Sequence, residues 1–518
     1  MLDQKKLNNM KYLFFIIVLV FAMSCTKLEP EMYSDLTTGN AYSTESDINA
    51  ALVGVYVDLR PGASDSYLYR AGYIVTLTDY GCDMGYTTYG GDIHKMSLST
   101  YEPNTHYFGS NWADIYKLIA DANMLISKIG DVDMDETKKN EVIGQARFLR
   151  ALAYFDITNA FGPVPLITEV KNPTDTYNMP LSPVSDVDEA IIADCKYAID
   201  NLPEQWSIDM GLARATKGAA ATLLGKVYMR AHDYTYAKTY IDMVLQLRNN
   251  GVYSLNPDFK NVFSGTNPID MGMIFGILHE SSINGGEITN HFAAADNPEV
   301  PNRWGYYAVS LEFWRRYDDT DPRKDFFYYN YEGYAARDET TTHGFYYMMP
   351  SPGQTFPPDD TTKLMQNICT KKYSYEMIEQ SYLDSRTNYV FRLADVILCK
   401  AEIENELNGP GAALLYLNEI RARAGVPEFG DPGFPIPASK DEMAQKILDE
   451  RGFELVFEFH RRNDLIRLGK WEETTNAYLQ EAGINNIVNS GMKYFPYPLT
   501  ETYLNDEMAA ANTGRYVH

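Results

Sequence analysis

Gly144-Gln145-Ala146-Arg147-Phe148-Leu149-Arg150-Ala151-Leu152-Ala153-Tyr154-Phe155-Asp156-Ile157-Thr158-Asn159-Ala160, running on to Phe161-Gly162-Pro163-Val164-Pro165-Leu166, is the stretch that decides the fold. Ala146, Leu149, Ala153 and Ile157 recur at steps of three and four, which places small and apolar side chains on one helix face. The predicted helix spans residues 136–161 and stops at Phe161-Gly162-Pro163, because proline has no N–H to continue the ladder. Just upstream, Trp112, Tyr116, Ile119, Asn123 and Ile126 form a second packing face over residues 111–128. Further helices are predicted near 186–202, 213–231, 234–250, 390–408, 410–424 and 440–460. The short connections between them imply antiparallel hairpins, and Gly218, Ala219, Ala220 and Gly225 let the backbones approach. The expected fold is mainly α, a tetratricopeptide-like scaffold of about four helix pairs whose repeat of about 34 residues is degraded and interrupted.

Two segments resist a helical reading, 61–110 and 251–389. Both are rich in Gly, Pro, Asn and Tyr, and the second is too long for a structureless connection, so it reads as an inserted subdomain with its own strands and short helices. Short strands are expected at 272–278 and 326–331. Of the 40 tyrosines, 13 fall in residues 301–390 and eight in 64–107.

The N-terminus reads as a secretory signal. Lys5, Lys6 and Lys11 precede an apolar run from Tyr12 to Met23, too short to cross a bilayer, where roughly 20 apolar residues are needed. The ending Ala22-Met23-Ser24-Cys25 resembles the bacterial lipoprotein box, which implies a signal over residues 1–24 and lipidation at Cys25; the plain alternative is an ordinary leader with a bystander cysteine. Met10 offers a second start. Losing residues 1–24 removes three lysines and one aspartate and takes the formal charge from −25 to −27. An excess of that size repels nucleic acid, whose binding rests on Lys and Arg. Cys195 and Cys399 fall within apolar helical patterns and read as buried thiols. A Cys82–Cys369 disulfide is open.

The helical blocks closely resemble the SusD/RagB family of outer-membrane nutrient-binding lipoproteins. The resemblance rests on residues 144–166 together with three more blocks in the family's order: Arg214-Ala215-Thr216-Lys217-Gly218-Ala219-Ala220 with Leu224-Gly225-Lys226-Val227-Tyr228; Phe391-Arg392-Leu393-Ala394-Asp395-Val396-Ile397-Leu398 with Ala401-Glu402; and Leu417-Asn418-Glu419-Ile420-Arg421-Ala422-Arg423-Ala424-Gly425, followed by Glu450-Arg451, Glu454-Leu455, Glu458, His460-Arg461 and Asp464-Leu465-Ile466-Arg467. Gln145 stands where the family often has Glu, and Asn463 where an aromatic is common. The resemblance implies one domain over 25–518. It also implies a surface lipoprotein of the outer membrane, without cofactor or catalysis, that hands glycan, or sometimes peptide, to a SusC-like TonB-dependent transporter. A scaffold without ligand affinity of its own is the remaining alternative. The helical scaffold is assigned mainly to 40–60, 111–250 and 390–470, and the ligand-facing part to 61–110 and 251–389.

Within those ligand-facing segments a sugar needs a flat aromatic for its C–H face and polar groups for its rim. The candidates are Trp304, Tyr306 and Tyr307 with Arg303 in one segment, and Tyr86, Tyr89, Asp79 and Asn104 in the other. Trp112 and Trp314 read as structural. Glu450, Glu454 and Glu458, taken as four apart on one helix, need opposite charges nearby. Arg421, Arg423, Arg461 and Arg467 are the expected partners in a network that locks the C-terminal helices. Asp318, Asp319 and Asp321 lack the glycine and distal Glu of a calcium loop and read as a turn. His279-Glu280 has no second His at zinc-protease spacing.

Overall fold

The structure is a computed structural model that describes residues 42–60, 68–69, 74–207, 213–265, 269–281, 285–294, 303–334, 344–348, 362–364, 367–376 and 384–516. The leader and Cys25 lie outside the described residues.

In chain order the principal elements are α1 (Glu45–Val57), α2 (Ile74–Thr78), β1 (Gly85–Tyr86), α3 (His106–Lys128), α4 (Glu136–Phe161), α5 (Val184–Asn201), α6 (Lys217–Arg230), α7 (Tyr234–Asn249), β2 (Met273–Ile277), α8 (Ile288–Phe292), β3 (Ala308–Val309), β4 (Asn388–Arg392), α9 (Leu393–Asn408), α10 (Pro410–Ala424), α11 (Lys440–Glu454), α12 (Arg461–Arg467) and α13 (Trp471–Glu481). From α3 to α7 each helix packs on the next. Helix α7 then packs on α9, which pairs with α10 and α11, so the chain returns to the same stack after its excursion through the strands.

The ends of α4 follow from its sequence. The Asp135 carboxylate accepts from the N–H groups of Thr137 and Lys138, satisfying donors that the first turn leaves free. Gly162 ends the helix at φ 75°, and a Cβ there would sit 2.7 Å from the Tyr494 ring. Along the helix, Arg150 donates to both oxygens of Asp194 at 2.8 Å, tying α4 to α5 in the interior, and Gln145 accepts from the Tyr56 hydroxyl of α1 at 3.0 Å. Trp112 is buried and meets Phe161 edge-on at 5.2 Å. At Gly225 a Cβ would lie 2.8 Å from Ile241 Cδ1, so glycine sets the close approach of α6 and α7.

Strands are short and scattered. Strand β1 pairs antiparallel with β3 (Gly85 with Val309, Tyr86 with Ala308), β2 pairs antiparallel with β4 in a register broken by a bulge (Met273 with Arg392, Ile277 with Asn388), and Phe327–Tyr328 pairs with Cys369–Thr370. The expected strand at 272–278 is β2. The long segments are less of an outer layer than their composition suggests: Tyr69, Tyr80, Tyr101, Tyr307, Tyr317 and Tyr373 are all buried core. Cys82, Cys195, Cys369 and Cys399 are buried free thiols, so the open Cys82–Cys369 bridge does not form. Asp318 accepts from the N–H of Thr320 at 2.8 Å and Asp321 pairs with Arg323 at 2.9 Å, which makes that acidic cluster a turn. Among the described residues no helix is long and apolar enough to cross a membrane.

The C-terminal network departs from expectation in two ways. Helix α11 ends at Glu454, so Glu458 is not on it; Phe457 and Phe459, at φ 56° and 71°, turn the chain between them. The partners also differ. Arg421 pairs with Glu450 (3.0 Å) and Arg423 with Glu454, as expected, but Arg461 goes to Asp83 (2.7 Å) and Arg467 to Glu402 and Asp464. The missing counter-charges come from elsewhere: Arg323 reaches Glu450 and Glu454 at 2.7 and 3.2 Å, Arg392 bridges Glu454 and Glu458, and Lys372 meets Glu458. All are buried. Burial pushes the Glu454 carboxyl up, but the Arg423, Arg392 and Arg323 guanidiniums outweigh it and hold it well below the usual range.

Candidate functional site

The β1–β3 pairing brings together the two tyrosine-rich segments. Just beyond this short pairing the Tyr89 ring meets Tyr306 edge-on, with centroids 4.3 Å apart. Tyr306 in turn lies 5.6 Å from Trp304, and both rings contact His291 on α8, at 5.5 and 5.0 Å. The backbone fixes this arrangement: Trp304 N–H donates to Asn290 O (2.8 Å), Tyr307 N–H to His291 O (2.9 Å), and Ala308 N–H to the Tyr80 hydroxyl (3.2 Å). His291 Nδ1 lies 2.9 Å from Glu287 O, and burial pushes its imidazole down to about 4, leaving the ring neutral near pH 7. On the other strand, Thr88 N–H and hydroxyl both reach Asn367 Oδ1, at 2.9 and 3.1 Å.

Tyr89, Trp304 and Tyr306 are half-buried, anchored on one side and open on the other. Edge-on packing suits the ring quadrupoles and holds each ring at a fixed angle without covering its whole face. Such a surface presents rigid apolar faces beside the half-buried Asn367 amide and the exposed Thr88 hydroxyl, and it can cover the C–H face of a sugar ring or a peptide's apolar side chain.

The other candidates are placed differently. Tyr307 is fully buried beneath the cluster, 4.8 Å from Phe292, and serves as its floor. Arg303 is buried and donates to Asn290 Oδ1, so it braces the Trp304 segment from behind. Tyr86 is half-buried, its ring against His94 at 6.2 Å. Asn104 is exposed in the turn before α3 and makes no ring contact or hydrogen bond with the cluster. Asp79 is a correction: it is fully buried, and its carboxylate accepts from the N–H groups of Phe459 (3.0 Å) and Arg461 (3.1 Å), which holds the start of α12. Burial pushes that carboxyl up to about 7. The sequence reading missed His291, whose isolated position gave no signal, and Asn367, which the fold alone brings to Thr88. Among the described residues no group of three or more His, Cys, Asp or Glu is placed to hold a metal.

A family model described as "SusD family" matches residues 281–514, and one described as "Starch-binding associating with outer membrane" matches residues 28–229. The chain is 27% identical to SusD-like protein P2 of Formosa agariphila over 96% of this chain and 98% of that protein. It is 26% identical to SusD-like protein P25 of the same organism over 88% and 89%. Among solved structures it is similar to a laminarin binding SusD-like protein (25% identity, TM-score 0.69, covering 90% of this chain and 98% of the other). A SusD homolog from Bacteroides thetaiotaomicron has the same fold (23% identity, TM-score 0.72, covering 91% and 97%). The helix stack and these matches, which together run from the first scaffold block to the last, place the chain in the SusD/RagB family.

Proposed function

We propose that this protein is a cell-surface glycan receptor, held at the outer membrane by lipid on Cys25, that captures an oligosaccharide or polysaccharide and passes it to a SusC-like TonB-dependent transporter. The carrying observation is the Tyr89–Tyr306–Trp304 cluster with His291, which joins two distant segments into one open aromatic surface. Two comparisons support the reading: a family model described by starch binding at the outer membrane, and a 25% identical relative that binds laminarin. Capture needs no covalent step. An affinity of about micromolar to millimolar suits a carrier that must release its cargo. Tyr86 belongs to the periphery of this surface, with Tyr307 and Arg303 as its support; Asn104 has no contact with it.

The test is calorimetry on residues 26–518, which include every described residue, against laminarin, starch and other plant, host and microbial glycans, with each mixture checked for hydrolysis. Saturable binding without turnover, weakened tenfold or more by Trp304→Ala or Tyr306→Ala, is the expected result. Binding of peptides but no glycan would make the chain a peptide receptor. Transporter binding with no ligand affinity, unchanged by either substitution, would leave it an assembly scaffold.

A further inference from the structure

A cavity lies in the helical scaffold, and no residue of the aromatic cluster lines it. It encloses about 590 Å³ between α4, the first half of α5, the end of α6 and α12, within the range of small-molecule sites, about 300–1,000 Å³. Its wall mixes flat apolar surface, including Phe155 and Leu152, with polar groups that the fold does not fully use. Asp156 is the clearest. One carboxylate oxygen accepts from the Tyr69 hydroxyl at 2.9 Å, and no described residue donates to the other. Two N–H donors of lining residues, Asn159 Nδ2 and Arg230 Nε, have no acceptor among the described residues, but both atoms are sealed behind the wall.

The charges indicate what kind of molecule fits. Arg230 is neutralised by Asp188, Lys226 by Asp395, and Arg467 by Glu402 and Asp464. Arg451 is likewise paired, with Asp395 and Asp464. Of the lining cations only the exposed Lys493 has no ion-pair partner among the described residues, so the interior holds no spare positive charge for an anion. A hydroxyl group fits, because it carries no charge and can donate to the free oxygen of Asp156. At the rim, Tyr228 is stacked between Tyr236 and Tyr240, with interplanar angles of 22° and 3°. Tyr236 is more than half exposed, so the stacked rings run from the lining residue Tyr228 out to solvent.

We infer that this cavity is a second ligand site, for a neutral, polyhydroxylated molecule of mono- or disaccharide size. It goes beyond the surface reading and requires neither the aromatic cluster nor a transporter.

Calorimetry or saturation-transfer NMR on residues 26–518 with glucose, cellobiose and laminaribiose, and glucuronate as the anionic control, tests it. The expected result is saturable binding of at least one neutral sugar, tighter than glucuronate. Ser185→Trp, which plugs the exposed rim, should weaken it tenfold or more; Asp156→Asn, which keeps the cavity's shape, should weaken it at least fivefold. Both variants are checked by thermal melting, and Trp304→Ala reports on the surface cluster separately. No saturable binding of any neutral sugar, binding that both cavity variants leave intact, or a preference for glucuronate would overturn the inference and mark the cavity as water-filled. Loss of polysaccharide binding in Trp304→Ala with cavity binding retained would separate the two sites; loss of all small-sugar binding in Trp304→Ala alone would also overturn the inference.

Discussion

Asp79 shows how one side chain can look like a binding residue and be a brace. It occurs among aromatics in a tyrosine-rich segment, yet its oxygens are spent on the backbone of Phe459 and Arg461. Both of those N–H groups are interior, and Phe459 is held in the left-handed region, a conformation that costs of order 1–3 kcal/mol and persists only when neighbours enforce it. Removing the acceptor leaves the donors unsatisfied, at about 1–3 kcal/mol. Asp79→Ala is therefore expected to lower stability by that amount in denaturant titration, Asp79→Asn by less, and neither to change glycan affinity at the Trp304 surface. Sequence reading singled out the aromatics as a class but could not separate Tyr306 from Tyr307. Adjacent residues in extended chain face opposite ways, and only the β1–β3 register tells which one is buried.

At the scale of elements, helices were legible because their apolar spacing repeats over many turns, and α4 begins and ends where its sequence predicts. Boundaries slipped where tertiary contacts decide them. Helix α6 begins at Lys217 because the Thr216 hydroxyl accepts from Ala219 N–H, and α11 ends before Glu458 because the next turn is pulled toward Asp79. The acidic spacing on α11 did announce a need for cations. It could not announce Arg323, which lies 127 residues before Glu450 in sequence. Breaking a buried pair by removing one partner leaves the other charged and unpaired, at about 3–5 kcal/mol. Arg323→Ala and Glu454→Gln are each expected to destabilise by that amount, and the double variant by less than their sum, since both act on one network. Chemical denaturation of the four proteins measures this directly. Gly225→Val, which forces α6 from α7, is expected to cost about 1–3 kcal/mol by the same assay.

For the whole molecule the buried carboxylates fall into two groups with opposite pH behaviour. Asp79, Asp114 and Asp156 are raised by burial, each to about 7. In the unfolded chain they titrate near 3.9. Between about pH 4 and 7 the folded state binds the extra protons, so stability rises as pH falls through that window. Asp83 and Glu458 are also pushed up by burial, but guanidinium or ammonium neighbours more than reverse it and hold them low, as they do Glu454. Their contribution is whole above the ordinary carboxylate range, about 3.9–4.3, and is lost below it. The thermal midpoint is expected to peak on the acid side of neutrality, between about pH 4 and 6, and to fall steeply beneath pH 4. A midpoint that rises steadily to pH 8 would contradict this account.

The clasp of Asp79 on residues 459 and 461 has a consequence in time. Those partners are 380 and 382 residues apart, and the Trp471 indole N–H closes on Gly81 O across 390. At about 5–20 residues per second, a ribosome needs roughly 20 to 80 seconds to supply the second half of that clasp after making the first. Until then the N-terminal core lacks its closing contacts and the nascent chain stays loose. For the exported lipoprotein proposed above, that delay would leave time to thread a translocation pore before the fold closes.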